Sequence, residues 1–120
     1  IYHGMVKDVQ KLLKETHCTV LPSYHEGMAN VLLESASSAR PVIATNIPGC
    51  QETFDEGITG IGCEAKSAQS LIDAIEKFLA LSHEEKAKMG KEGRVKMEKC
   101  FDRQIVVEAY IKEINTILNK

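Results

Sequence analysis

The sequence has no basic block, no membrane-length apolar run and no metal-ligand cysteine spacing, and each absence removes a class of function. Its 15 lysines and arginines never cluster beyond isolated pairs, and 17 acidic residues outnumber them, giving a net charge of −2. This argues against nucleic acid and against an anionic membrane surface as the main partner. It leaves room for a few cations aimed at one phosphate. No apolar stretch approaches the roughly 20 residues of a membrane span, and no signal peptide is recognisable, so membrane insertion of this chain is not expected. Cys18, Cys50, Cys63 and Cys100 show neither C-x-x-C nor Cys/His metal spacing. They read as free thiols in a reducing compartment, three of them beside apolar residues. Tryptophan is absent, and there are no repeats or low-complexity segments.

What is present fits one domain. A chain of this length buries roughly two-thirds of its unfolded surface, enough for a core. It begins at Ile1 rather than methionine, inside an apolar run, and is expected to be a piece of a longer protein. Ile1 to His3 reads as the end of a strand, broken at Gly4. Val6, Val9, Leu12 and Leu13 repeat at helical spacing over Val6 to Glu15. Cys18 to Leu21 is a short β-branched strand ended by Pro22. Met28 to Ala39 is apolar almost all round and reads as a buried helix. Val42 to Thr45 is a second buried strand, broken by Pro48-Gly49, and Gly60 to Cys63 is a third.

The second half is helical. Leu71, Ile72, Ile75, Phe78 and Leu79 form one stripe. Ser82 and Glu85 have capping-box spacing at the start of a polar helix reaching about Lys99. Asp102 can cap a last helix with Val107, Tyr110, Ile111, Ile114 and Leu118 on one face. The predicted class is α/β: a Rossmann-like parallel sheet with helices on both faces over residues 1–66, and a helical extension over 67–120. In such sheets ligands bind at the carboxyl ends of strands. The loops of interest are therefore Gly4–Val6, Pro22–Met28 and Asn46–Glu52.

Pro22-Ser23-Tyr24-His25-Glu26-Gly27-Met28 joins a strand's carboxyl end to a helix. A helix N-terminus offers unpaired N–H groups and partial positive charge. Gly27 lets a ligand approach the backbone. Together they suit a phosphate. Glu26 precedes the helix and Glu34 follows eight residues on. Over a continuous helix that spacing spans about 12 Å. Glu34 lies in an apolar run, and a buried carboxylate needs a partner. It would either pair with a structural Lys or Arg or accept hydrogen bonds from ligand hydroxyls. A nucleotide sugar, with hydroxyls at both ends of a diphosphate, suits two carboxylates flanking a helix N-terminus.

The run Pro22-Ser23-x-x-Glu26-Gly27-Met28-x-Asn30-Val31-Leu32-Leu33-Glu34, then Pro41-Val42-Ile43-Ala44-Thr45, Gly49-x-x-Glu52 and Asp55-Glu56-Gly57-x-x-Gly60, resembles the C-terminal domain of family 4 retaining glycosyltransferases of the GT-B fold. The resemblance implies that Glu26 contacts the donor hexose near the reacting centre and that Glu34 binds the ribose. It also implies that the amides of Gly27, Met28, Ala29 and Asn30 receive the diphosphate, and that Gly4, Met5 and Val6 meet the nucleobase. It implies retaining, metal-independent hexosyl transfer from a nucleotide sugar to a glycan or lipid-linked acceptor, in bacterial surface-polysaccharide synthesis. No cofactor is implied; a UDP-linked donor is the substrate. The implied location is the cytoplasm, with peripheral association of the full enzyme open at the membrane face.

A double displacement would need two carboxyl groups about 5 Å apart, which Glu26 and Glu34 do not offer. The family's route is a front-face displacement in which the departing diphosphate helps deprotonate the acceptor. The family's basic diphosphate clamp and its acceptor domain are expected before Ile1, so this piece alone should not catalyse transfer. The family has glycine where Ala39 stands; a left-handed alanine there would cost about 1 kcal/mol. Two alternatives remain: a sugar-nucleotide epimerase of the same fold, and a non-catalytic nucleotide-binding module. His25 could touch acceptor or phosphate or simply face solvent. His3, His17 and His83 read as structural or surface residues, Arg40 and Arg94 as surface charges, and Thr45 to Glu52 as either a sugar-pocket cap or a plain turn.

Overall fold

The computed structural model describes residues 1–119. In chain order the elements are α1 (Val9–Lys14), β1 (Thr19–Leu21), α2 (Asn30–Ser37), β2 (Val42–Thr45), a 3-10 turn (Gln51–Thr53), β3 (Gly60–Cys63), α3 (Ala68–Leu79), α4 (His83–Cys100) and α5 (Arg103–Leu118). The strands form a parallel sheet in the order β1-β2-β3, with Thr19 opposite Val42 and Val42 opposite Gly60. β2 is central and wholly buried. Its side chains alternate: Val42 and Ala44 pack with Ala29, Leu32, Cys50 and Phe54, while Ile43 packs with Ile61, Ala74, Phe78 and Met89. That alternation covers both faces, as the short buried strands predicted. α4 bridges them. Met89 joins the α3 side, and Gly93 rests on Ala36 of α2. A side chain on Gly90 would overlap the Ala39 carbonyl, so glycine is what lets α4 approach α2 there.

Several boundaries differ from the sequence reading. Ile1 to His3 forms no strand; Ile1 and Tyr2 are fully exposed, and the sheet of the described residues contains only β1, β2 and β3. α1 starts at Val9 rather than Val6 because the Asp8 carboxylate accepts the Lys11 N–H and caps it. In α3 the face against the sheet is Leu71, Ala74, Ile75 and Phe78, and Ile72 and Leu79 point outward. Arg40 is no idle surface charge. Its guanidinium donates to the Leu13 and Lys14 carbonyls at the end of α1. Arg94 does the same for Ser37 at the end of α2. The capping serine of α4 and the capping aspartate of α5 are in place.

α5 forms but buries none of its residues, and Val107, Tyr110, Ile111, Ile114 and Leu118 are all exposed. It is about 24 Å long at 1.5 Å per residue, in a molecule measuring 57 × 31 × 29 Å. Cys50 and Cys63 are buried, Cys100 is exposed, and all four thiols are free. Burial pushes the Cys18, Cys50 and Cys63 thiols up from their ordinary range.

α2 ends in a Schellman motif: Arg40 N–H reaches the Ser35 carbonyl, and Ala39 N–H reaches Ala36. Ala39 takes the left-handed position at φ 57°. Replacing Ala39 with Gly should therefore stabilise the chain by about 1 kcal/mol in urea unfolding. An unchanged or lower midpoint would show that the left-handed alanine is not strained.

Candidate functional site

Among the described residues, four of the five α-helices begin with a side-chain cap: Asp8, Ser67, Ser82 and Asp102 each accept a first-turn N–H. α2 does not. Its N-cap is Ala29, with no side-chain hydrogen bond. The amides of Gly27, Met28, Asn30 and Val31 have no backbone partner among the described residues. This open N-terminus lies in the loop that leaves the carboxyl end of β1. An uncapped helix start forgoes about 1 kcal/mol, and it leaves donors free for an anion.

The loop is held from two sides. Thr45, buried at the carboxyl end of β2, donates its hydroxyl to the Ser23 carbonyl at 2.7 Å. The Ser23 hydroxyl donates to Glu26 Oε1 at 2.7 Å and so fixes the half-buried carboxylate. From the next loop, the Gly49 carbonyl accepts the Ala29 N–H at 2.9 Å. Gly49 itself has φ 91° and lies so close that an added Cβ would come within 2.5 Å of the Glu26 carbonyl oxygen and 2.6 Å of that of Gly27. Its N–H donates to Glu52 Oε2 at 2.7 Å. Thr45 to Glu52 is therefore the brace of this loop rather than a plain turn.

Three expectations change here. α2 starts at Asn30, not Met28, so Glu26 lies outside the helix and the distance estimated for a continuous helix does not apply. Ala29 cannot offer its amide to a ligand, because Gly49 already holds it. Glu34 is exposed rather than buried and makes no ion pair among the described residues. Leu32, Ser35 and Ala36 take the buried face of α2, and Glu34 points away from it. It edges an open cleft of about 370 Å³ with Gln10, Lys14, Leu33, Ser37, Ser38 and Arg94. Its carboxylate is thus free to accept hydrogen bonds.

Gly4, Met5 and Val6 lie in an irregular segment before α1; Met5 is fully exposed and Gly4 has φ 65°. No described hydrogen bond joins them to Glu26 or Glu34. His3, His17, His25 and His83 are all exposed. Two neighbours of the site escaped the sequence reading. Ser23 could have been found, since it stands three residues before Glu26, within side-chain reach across a turn. Lys66 could not. It follows β3 with φ 61° and places its ammonium 5.7 Å from the centre of the Tyr24 ring.

Among the described residues no helix is long and apolar enough to cross a membrane. Residues 1–96 match the family described as glycosyl transferases group 1. The chain is 30% identical over 115 residues to the capsular polysaccharide biosynthesis glycosyltransferase CapM of Staphylococcus aureus, covering 96% of this chain and 30% of that protein. It is 25% identical to the N,N'-diacetylbacillosaminyl-diphospho-undecaprenol alpha-1,3-N-acetylgalactosaminyltransferase of Campylobacter jejuni, over 98% of this chain and 31% of that one. Its fold matches the crystal structure of Anabaena HepE in complex with UDP at TM-score 0.85 and 17% identity, over 95% of this chain and 31% of HepE. The chain thus spans just under a third of the length of these relatives.

Gly49→Ala tests the brace. It forces a left-handed alanine against two carbonyls and should cost at least about 2 kcal/mol in urea unfolding. A loss below about 0.5 kcal/mol, the range of ordinary surface substitutions, would show that the two loops are not in contact.

Proposed function

The chain belongs to the glycosyl transferases group 1 family, with the parallel α/β sheet of a GT-B C-terminal domain, and from that premise we propose that it is the donor-binding part of a nucleotide-sugar glycosyltransferase. The observation that carries this reading is the uncapped N-terminus of α2, flanked by a fixed carboxylate, Glu26, and a free one, Glu34. In this reading the amides of Gly27, Met28 and Asn30 take the diphosphate, helped by the partial positive charge of the helix end. The Val31 amide, equally open, joins them. Glu34 accepts the ribose hydroxyls, and Gly4 to Val6 line the base. Glu26 holds the donor hexose and faces positive charge as it develops on the ring.

The chemistry follows from those positions. The diphosphate leaves onto amides already oriented to receive it, so little reorganisation is needed as its negative charge grows. Ser23 keeps the Glu26 carboxylate in one place, which favours a single sugar pose. Glu26 and Glu34 serve opposite ends of the donor, so they do not act as an acid and nucleophile across one carbon. Retention by front-face displacement, with the leaving phosphate as base, is the route consistent with this layout. It is a metal-independent scheme, the amides and helix end supplying the charge stabilisation.

UDP is the proposed nucleotide, in line with the ligand of HepE. The names of CapM and the Campylobacter transferase favour bacterial surface-polysaccharide synthesis and a lipid-linked or glycan acceptor. The acceptor would be held by parts of the full-length protein outside this chain. The proposed location is the cytoplasm, at the membrane face when the acceptor is lipid-linked.

Calorimetric titration with UDP tests the reading. The chain should bind, and Glu34→Ala should weaken binding by about tenfold or more, the value of charge-assisted hydrogen bonds to two hydroxyls. In the full-length protein, Glu26→Ala should lower turnover about a hundredfold while leaving UDP affinity within about threefold. Undiminished UDP binding by Glu34→Ala would remove the ribose assignment. Unchanged turnover in Glu26→Ala would remove the hexose one.

A further inference from the structure

Gly49 is held by three contacts at once. Its carbonyl takes the Ala29 N–H, its α-carbon sits against the Glu26 and Gly27 carbonyls, and its own N–H is taken by Glu52. The first two contacts fix the loop that carries the open amides. The third fixes Gly49. Gly49 is buried, so its N–H has no ready substitute for the Glu52 carboxylate, and a bond to an ionised acceptor is about twice as strong as a neutral one. With that bond gone, the cheapest response of the turn is to swing the Gly49 N–H toward water. The Gly49 carbonyl belongs to the next peptide unit, hinged to the first at a glycine α-carbon that no longer has a fixed place, so it is released from Ala29 as the turn relaxes. Ala29 is the N-cap of α2, and the amides of Gly27, Met28 and Asn30 are set by where it stands.

We propose that Glu52 is a positioning residue for the donor's diphosphate, acting through the Gly49 turn on the amides at the start of α2. This rests on the donor-site reading and adds to it a residue that touches no part of the ligand. The 3-10 turn Gln51–Thr53 presents Glu52 on its first turn, three residues after Gly49. The Thr53 hydroxyl anchors that turn by donating to the Cys50 carbonyl at 2.6 Å. The carboxylate is therefore held on a short rigid element rather than a free loop, which suits a part whose only task is to keep geometry.

The test uses the 120-residue chain as wild type, Glu52→Ala and Glu52→Gln. Amide hydrogen exchange is read by NMR at Ala29 and, as controls in the sheet, at Ile43 and Ile61. UDP affinity is measured on the same samples. Glu52→Ala should speed exchange at Ala29 about tenfold, leave Ile43 and Ile61 unchanged, and weaken UDP binding about tenfold. Glu52→Gln keeps an oxygen acceptor and should return both values to within about threefold of wild type. The controls separate this role from general loosening, which would speed all three amides together and overturn the proposal. Unchanged Ala29 exchange, or unchanged UDP affinity in Glu52→Ala, would also overturn it while leaving the donor-site reading in place. Failure of the wild-type chain to bind UDP would overturn the donor-site reading and this proposal with it.

Discussion

The contact between Gly49 and the Glu26–Ala29 backbone joins the two loops at the carboxyl ends of β1 and β2. Those strands are neighbours in a parallel sheet, so their following loops emerge side by side at the same end. The gap between them is closed by a backbone hydrogen bond and by the absence of a side chain at one residue. Everything proposed for the site depends on this closure. It uses up the Ala29 amide while the amides around it stay without a backbone partner, and α2 begins only at Asn30. Glu26 is therefore a loop residue whose carboxylate Ser23 can reach.

The rest of the fold serves to hold these ends still. β2 is buried along its whole length between two apolar clusters, and Thr45 at its end ties the Ser23 carbonyl directly to the sheet. α2 is fixed at its far end by a Schellman turn, by Arg94 and by the close approach of α4 at Gly90. Residues on both sides of the open N-terminus are thus attached to rigid elements. Pre-formed donors of this kind need not be reoriented when charge develops on a ligand.

Much of this was legible in the residues. β2 and β3 run from Val42 to Thr45 and from Gly60 to Cys63, as their short apolar runs predicted, because parallel strands covered on both faces read as continuous apolar runs. Ala39 takes the left-handed conformation that the resemblance, with glycine at this position, left open. The start of α2 at Asn30 was missed because no side-chain cap marks it: the N-cap is Ala29, whose N–H goes to Gly49, twenty residues downstream. The exposure of Glu34 was missed for a different reason. Its neighbours are apolar, but only Leu32, Ser35 and Ala36 face inward, and composition does not report an angle around a helix. Arg40 and Lys66 act on residues brought near only by the fold. The apolar face of α5 was read correctly as a face, yet it covers nothing among the described residues.

The central claim is that the open amides at the start of α2 receive a nucleotide diphosphate. Titrating UDP into the isotope-labelled chain and following each backbone amide by NMR tests it most directly. The account predicts the largest shifts at Gly27, Met28, Asn30 and Val31, with the amides of Ile58 and Met89, which line a separate cleft of about 410 Å³, unmoved. Shifts confined to Ile58 and Met89, or none at the start of α2, would contradict it.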